Sequence, residues 1–168
     1  MSEVVRLHIK VLVEPKIAIE QMIRSMEEVY NTAGILIEVV STEKFNLPHL
    51  NDVEIGLCVE GSTTEEQNLL FSHRDSVGVN ELVAYFVRAT IPDSNGCAAH
   101  PNNLPGVVIT EEASQWTLAH EIGHVLGLSH VNDNNRLMTK NGTHNITNAP
   151  PDLTPEEILT MQNSDYTI

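Results

Sequence analysis

At 168 residues, 41% hydrophobic and 19% charged, the chain has the composition of one globular domain with its own core, which excludes a disordered polypeptide. A formal net charge of −14, with only nine Lys and Arg and no run of them, excludes a nucleic-acid backbone as partner. No apolar run is long enough to span a bilayer, and the N-terminal stretch alternates with period two where a signal peptide would carry an apolar core, so no membrane association is expected.

In chain order, Val5, Leu7, Ile9, Val11 and Val13 alternate with Arg6, His8 and Lys10, which predicts a half-buried strand ended by Pro15, with His8 on its solvated face. Ile19, Met22, Ile23, Met26, Val29 and Tyr30 recur at three and four, the stripe of an amphipathic helix, with Gly34 suited to its C-terminal cap. Strands are expected over 35–40, 53–60, 81–91 and 106–110, the third of these central because it is richest in apolar residues. Ser62 with Glu65 reads as a capping box for a short helix, and Thr154 with Glu157, followed by Pro155 at the first helical position, opens a closing helix. A further helix starts between Ser114 and Thr117, with Trp116 and Leu118 as core packing. After His130 comes a long Asn-, Gly- and Pro-rich stretch of loop composition. This order of elements predicts an α+β fold, or an α/β fold with a mixed sheet.

The chemistry concentrates in "TLAHEIGHVLGLSH", residues 117–130. On a helix, His120 and His124 lie on one face a turn apart, the spacing at which two imidazoles reach one Zn2+ at about 2.0–2.1 Å. Glu121 is not required as a ligand and is placed to act as a general base on a metal-activated water. On a straight helix His130 would point away; a left-handed Gly127 ends the helix and turns the chain so that His130 reaches the same ion, leaving the fourth position open. Three histidines, a glutamate and a glycine at these offsets arise by chance on the order of 1 in 10⁵ for such a chain, so a core helix that merely contains histidine is set aside.

Residues His120 to His130 fit H-E-x-x-H-x-x-G-x-x-H at every fixed place, and Met138 follows in "RLMT". The chain thereby resembles the metzincin zinc metalloproteases, and in spacing most closely their matrixin branch. The resemblance implies a single catalytic domain over 1–168, with an upper subdomain 1–127 and a lower subdomain 128–168. It implies an α/β-like α+β architecture: a mixed, mostly parallel twisted sheet of about five strands, a backing helix, an active-site helix, a Met-turn at Met138 and a C-terminal helix. The implied activity is that of a zinc-dependent endopeptidase with a protein or peptide substrate, His120, His124 and His130 as zinc ligands, Glu121 as catalytic base and Met138 supporting the site. "GCAAHP" resembles the upper-rim segment of metzincin clefts, which places Gly96, Cys97, Ala98 and Ala99 on an edge strand that could take substrate as an added strand. A catalytically silent zinc-containing binding module is the alternative, and the intact Glu121 argues against it.

The chain also departs from the family. Lys140 occupies the place where related branches carry a zinc-approaching tyrosine, so no tyrosine ligand is expected. The Gly-Asp-rich loop that holds structural zinc and calcium in matrixins is not evident, so one zinc and no obligatory calcium are expected. Cys58 and Cys97 are read either as a pair or as free thiols, in which case Cys97 could cap the metal as a thiolate. His49, His73 and His144 have no partner at ligand spacing, His100 sits near the rim, and Asn141 and Asn145 open glycosylation triplets of the kind common by chance. A monomer is expected. Secretion or export is favoured and a cytoplasmic setting stays open, as does a removed prosegment.

Overall fold

The structure is a computed structural model describing residues 3–168. β1 (Glu3–Val11) leads into α1 (Ile19–Asn31) and β2 (Ile35–Lys44), and β3 (Asp52–Glu54) precedes α2 (Glu65–Phe71). There follow β4 (Leu82–Phe86), β5 (Ala89–Ile91), β6 (Gly96–Cys97), β7 (Gly106–Ile109), α3 (Thr117–Val125) and α4 (Pro155–Gln162). The main sheet has five strands in the order β2-β1-β4-β7-β6, parallel except for β6, which runs antiparallel to β7 at one edge. This is the mixed, mostly parallel α/β architecture expected. None of the helices among the described residues is long and apolar enough to cross a membrane.

Both faces of the sheet are covered, as parallel strands require. On β4, Leu82, Ala84 and Phe86 face the core formed with α1 and α3, where Met22, Met26, Tyr30, Leu118 and Ile122 pack. Val83 and Tyr85 face a second core with Leu50, Leu70 and Phe71. Period-two alternation with both sides buried yields a continuous apolar run, and β4 is indeed the central strand.

Four details differ from expectation. His8 does not lie in solvent: it is 2% exposed, its Nδ1 2.7 Å from Ser41 Oγ and its Nε2 2.7 Å from Glu81 Oε1. Lys10 beside it is equally buried and donates to Glu43 at 2.7 Å beneath Phe45. The polar face of β1 is thus covered, because β1 lies between β2 and β4 and polar groups on both sides satisfy it. Second, the strand expected over 53–60 ends at Glu54; Gly56 (φ 56°) and Cys58 (φ 52°) turn the chain out, and β3 pairs with β5 in a separate two-stranded sheet. Third, the run 81–91 is cut in two after Phe86; Arg88 is held to Asp52 at 2.6 Å, and β5 leaves the main sheet. Fourth, the capping box of α2 uses Thr64 and Gln67, not Ser62 and Glu65. Thr154 and Glu157 cap α4 as predicted.

Between α3 and α4 the only helical piece is a 3-10 turn, Thr143–Asn145. Asparagine side chains hold this segment in place of a backbone ladder: Asn141 Nδ2 donates to Asn134 at 2.9 Å and to Asn132 at 3.2 Å, and Asn145 Nδ2 donates to the carbonyl of Asn141 at 2.7 Å. Side-chain amides that bond one another and the backbone compete with regular structure, which accounts for the Asn-rich composition.

Candidate active site

α3 is anchored at both ends. At its start the hydroxyls of Ser114, Thr117 and Thr143 form a buried triangle with edges of 2.7, 2.9 and 3.1 Å. From α1, the Tyr30 hydroxyl donates to the carbonyl of Ala119 at 2.8 Å, and burial raises the Tyr30 pKa further above its ordinary value. At its end Gly127 takes φ 105°, a conformation side chains rarely adopt, and the chain reverses.

This reversal brings three imidazoles together. His130 Nε2 lies 3.0 Å from His124 Nε2 and 3.3 Å from His120 Nε2, and one ring nitrogen of each lies within 4.8 Å of the others. Two nitrogens bound to one tetrahedral zinc at about 2.0–2.1 Å would stand about 3.3 Å apart, so the spacing fits that ion. The tautomers fit as well. His120 Nδ1 lies 2.7 Å from the carbonyl of Leu137, and His124 Nδ1 lies 2.8 Å from the carbonyl of Leu128. A carbonyl only accepts, so both Nδ1 atoms carry the proton and both Nε2 lone pairs point at the shared centre. Desolvation lowers the pKa of His120 to about 4 and also lowers that of His124, which keeps both rings neutral.

Glu121 projects beneath β6, and burial pushes its carboxyl up to about 8. A Cβ placed on Gly96 would come 2.9 Å from Glu121 Cγ and 2.9 Å from the carbonyl oxygen of Val108, so only glycine lets the edge strand close over this side chain. Met138 is fully buried below α3, against Gly123, where an added Cβ would meet its Sδ at 2.8 Å. The turn around it is held by Val131 N donating to Met138 O at 2.9 Å and Lys140 N to Val131 O at 2.8 Å.

Two cavities flank the imidazoles. The larger, about 540 Å³, lies against Gly96, Ala98 and Ala99 above and His124 and Gly127–Ser129 below. The smaller, about 180 Å³, lies on the other side of Glu121, between Gly96 and the segment Thr139–Thr143. Of the rim residues read from sequence, Gly96 and Cys97 form the edge strand β6, while Ala98 and Ala99 continue beyond it. Cys97 is fully buried and bonded to Cys58, which resolves the open pairing and rules out a thiolate on the metal. His100 packs with its Nδ1 2.9 Å from the carbonyl of Pro101 and lines neither cavity.

Sequence reasoning missed several contributors. Gly123 inside the helix was a readable signal, since a glycine there needs a packing reason. Leu57 and Glu60 reach the larger cavity only because the disulfide carries their loop to β6, and the carbonyls of Leu128 and Leu137 that orient the histidines carry no sequence signal at all.

Known proteins share this fold. Metalloproteinase-II of Bacteroides fragilis superposes with a TM-score of 0.66 over 95% of this chain and 52% of its own, at 19% identity. The archaemetzincin of Methanopyrus kandleri gives 0.58 at 13% identity over 94% and 93% of the two chains. A zinc-dependent peptidase of Methanocorpusculum labreanum gives 0.57 at 12% identity over 92% and 99%. At these identities the likeness concerns the fold. In sequence, proteins described as extracellular metalloproteases from Arthroderma benhamiae and Trichophyton verrucosum are each 29% identical over 126 residues, 70% of this chain and 46% of theirs. The chain therefore spans about half the length of the curated relatives it matches. The family described as Matrixin matches residues 63–163, from the start of α2 through the histidine cluster to the end of α4, and the chain belongs to that family.

Proposed function

We propose that the chain is a zinc-dependent endopeptidase in which His120, His124 and His130 hold one Zn2+ and no calcium is obligatory. The observation that carries this reading is the convergence of three imidazole nitrogens, two of them fixed in the ligating tautomer by backbone carbonyls. Zn2+ at that point supplies a Lewis acid that acidifies water and polarises a carbonyl. Glu121 takes the proton of the attacking water and delivers it to the leaving amine nitrogen. Its desolvated setting favours the proton-holding carboxyl, and a dication bound by the histidines would favour the carboxylate. Met138 supports the floor on which the histidines rest.

β6 pairs with β7 on one side only. Its other edge is the site for an extended peptide, held by backbone hydrogen bonds along Gly96–Ala99. The cleft runs between an upper subdomain, 1–127, and a lower one, 128–168, and the segment 139–151 walls the pocket for the residue after the cut. The matched relatives are described as extracellular, and export is the setting we assign.

The test is Glu121→Ala in the zinc-loaded protein. Zinc content stays that of the parent while cleavage of a peptide library falls by about 10²–10⁴-fold, and chelation abolishes the parent's activity. Cleavage at the parental rate by Glu121→Ala would remove Glu121 from the mechanism.

A further inference from the structure

Lys140 stands apart among the basic residues. Nine of these face 23 acidic ones, and most are engaged. Arg6, Lys10, Lys16, Lys44, Arg88 and Arg136 each pair with a carboxylate. Arg74 spends its guanidinium on the carbonyls of Pro105 and Glu81, and Arg24 donates to Gln21 on α1, away from both cavities. The Lys140 side chain is exposed, meets no carboxylate at ion-pair distance among the described residues, and belongs to the only Lys or Arg lining either cavity. Its backbone is fixed by the bond to Val131, the residue after His130, so Lys140 is held on the wall of the smaller cavity.

The walls of that cavity leave selection to charge. No aliphatic side chain lines it; beyond the histidines and Glu121 it is bounded by Asn95, glycines and threonines. A hydrocarbon side chain entering it would leave water without gaining an apolar wall. The hydroxyls of Thr117 and Thr143 are closed into the triangle with Ser114, that of Thr139 donates to Asn134, and the Asn95 amide is engaged with His144, so the neutral polar groups of the lining are largely matched by one another and by their neighbours. Glu121 belongs to the reaction and stands beside the metal-binding imidazoles. The charge left to meet an incoming side chain is Lys140.

We infer that this pocket takes an acidic side chain, Asp or Glu, from the residue on the C-terminal side of the cut bond, with Lys140 as its counter-charge. The assignment rests on the endopeptidase reading above and names the substrate class of that site.

The experiment is a mass-spectrometric profile of peptide-library cleavage by the zinc-loaded chain, followed by matched peptides carrying Glu, Gln, Leu or Lys after the cut. Acidic residues are enriched there, and kcat/KM for the Glu peptide exceeds that for Gln by about fivefold, the range for a solvent-screened ion pair. Lys140→Arg keeps the preference, Lys140→Ala erases it, and Lys140→Glu turns it toward the Lys peptide, all with parental zinc content and circular dichroism. Cleavage without an acidic preference, or a preference unmoved in Lys140→Glu, overturns this assignment and leaves the endopeptidase reading standing. No cleavage by the zinc-loaded chain overturns both.

Discussion

The two walls of the cleft are built by opposite means. One wall, α3 with the reversal at Gly127, gathers His120, His124 and His130 from eleven consecutive residues. The upper wall joins β6 to a loop 39 residues earlier through Cys58–Cys97, and that loop brings Leu57 and Glu60 to the same cavity. One wall is local, set by helix periodicity and a single left-handed glycine. The other is non-local, set by strand pairing and a covalent tie. The difference teaches where chemistry and selectivity should separate: the histidine cluster is gathered within one local segment, whereas the rim loop is tied by the disulfide.

Breaking each wall in turn tests this separation. The largest effect on stability is expected from Cys58→Ala with Cys97→Ala. Removing a cross-link that spans 39 residues costs about 4 kcal/mol in the chain-entropy view. Chemical unfolding measures the loss, and bound zinc stays at the parental level because α3 and the carbonyls of Leu128 and Leu137 position the imidazoles. Loss of zinc in that variant would mean that the rim helps hold the histidines. Gly127→Ala strikes the other wall. At φ 105°, with an added Cβ 3.1 Å from Thr160 Cγ2, alanine costs about 1–3 kcal/mol. Here, in contrast, zinc affinity falls with stability, because the strain is relieved only by moving His130. Calorimetric zinc titration beside thermal unfolding separates the two variants.

The smallest effect lies far from both walls. Glu81 accepts from Gly78 N at 2.9 Å and faces His8 at 2.7 Å, and these contacts hold its carboxyl below the ordinary 4.5. A carboxyl depressed in the folded state contributes stability that is full above pH 4.5 and is lost as pH falls through the folded value. Glu81→Gln flattens that acid dependence and costs less than about 1 kcal/mol at neutral pH, since the pair is partly solvated. Urea unfolding at pH 7 and pH 4 reads both numbers, with zinc binding at pH 7 unchanged.

What could be read from the residues follows the same division. The helix stripe of α1, the box at Thr154 and Glu157 and the turn at Gly127 are local patterns with local causes, and each lies where the spacing put it. Apart from the α2 capping box, which sits two residues later at Thr64 and Gln67, the failures are non-local. The strand expected over 53–60 stops at Glu54 because a left-handed Cys58 and its bond to Cys97 pull the loop to the rim. His8 reads as solvated because its partners, Ser41 and Glu81, come from distant parts of the chain. At the site, the clustering of the three histidines is legible in their spacing, but the carbonyls that face two of the imidazoles and the polar lining around Lys140 depend on chain reversals with no fixed spacing.

The central claim is that the imidazoles of His120, His124 and His130 share one ion. Anomalous diffraction at the zinc edge from crystals grown with zinc tests it most directly. The account predicts a single strong peak about 2.0–2.1 Å from all three Nε2 atoms, beside the Glu121 carboxyl. A peak elsewhere with these rings turned apart, or no peak at saturating zinc, would contradict it.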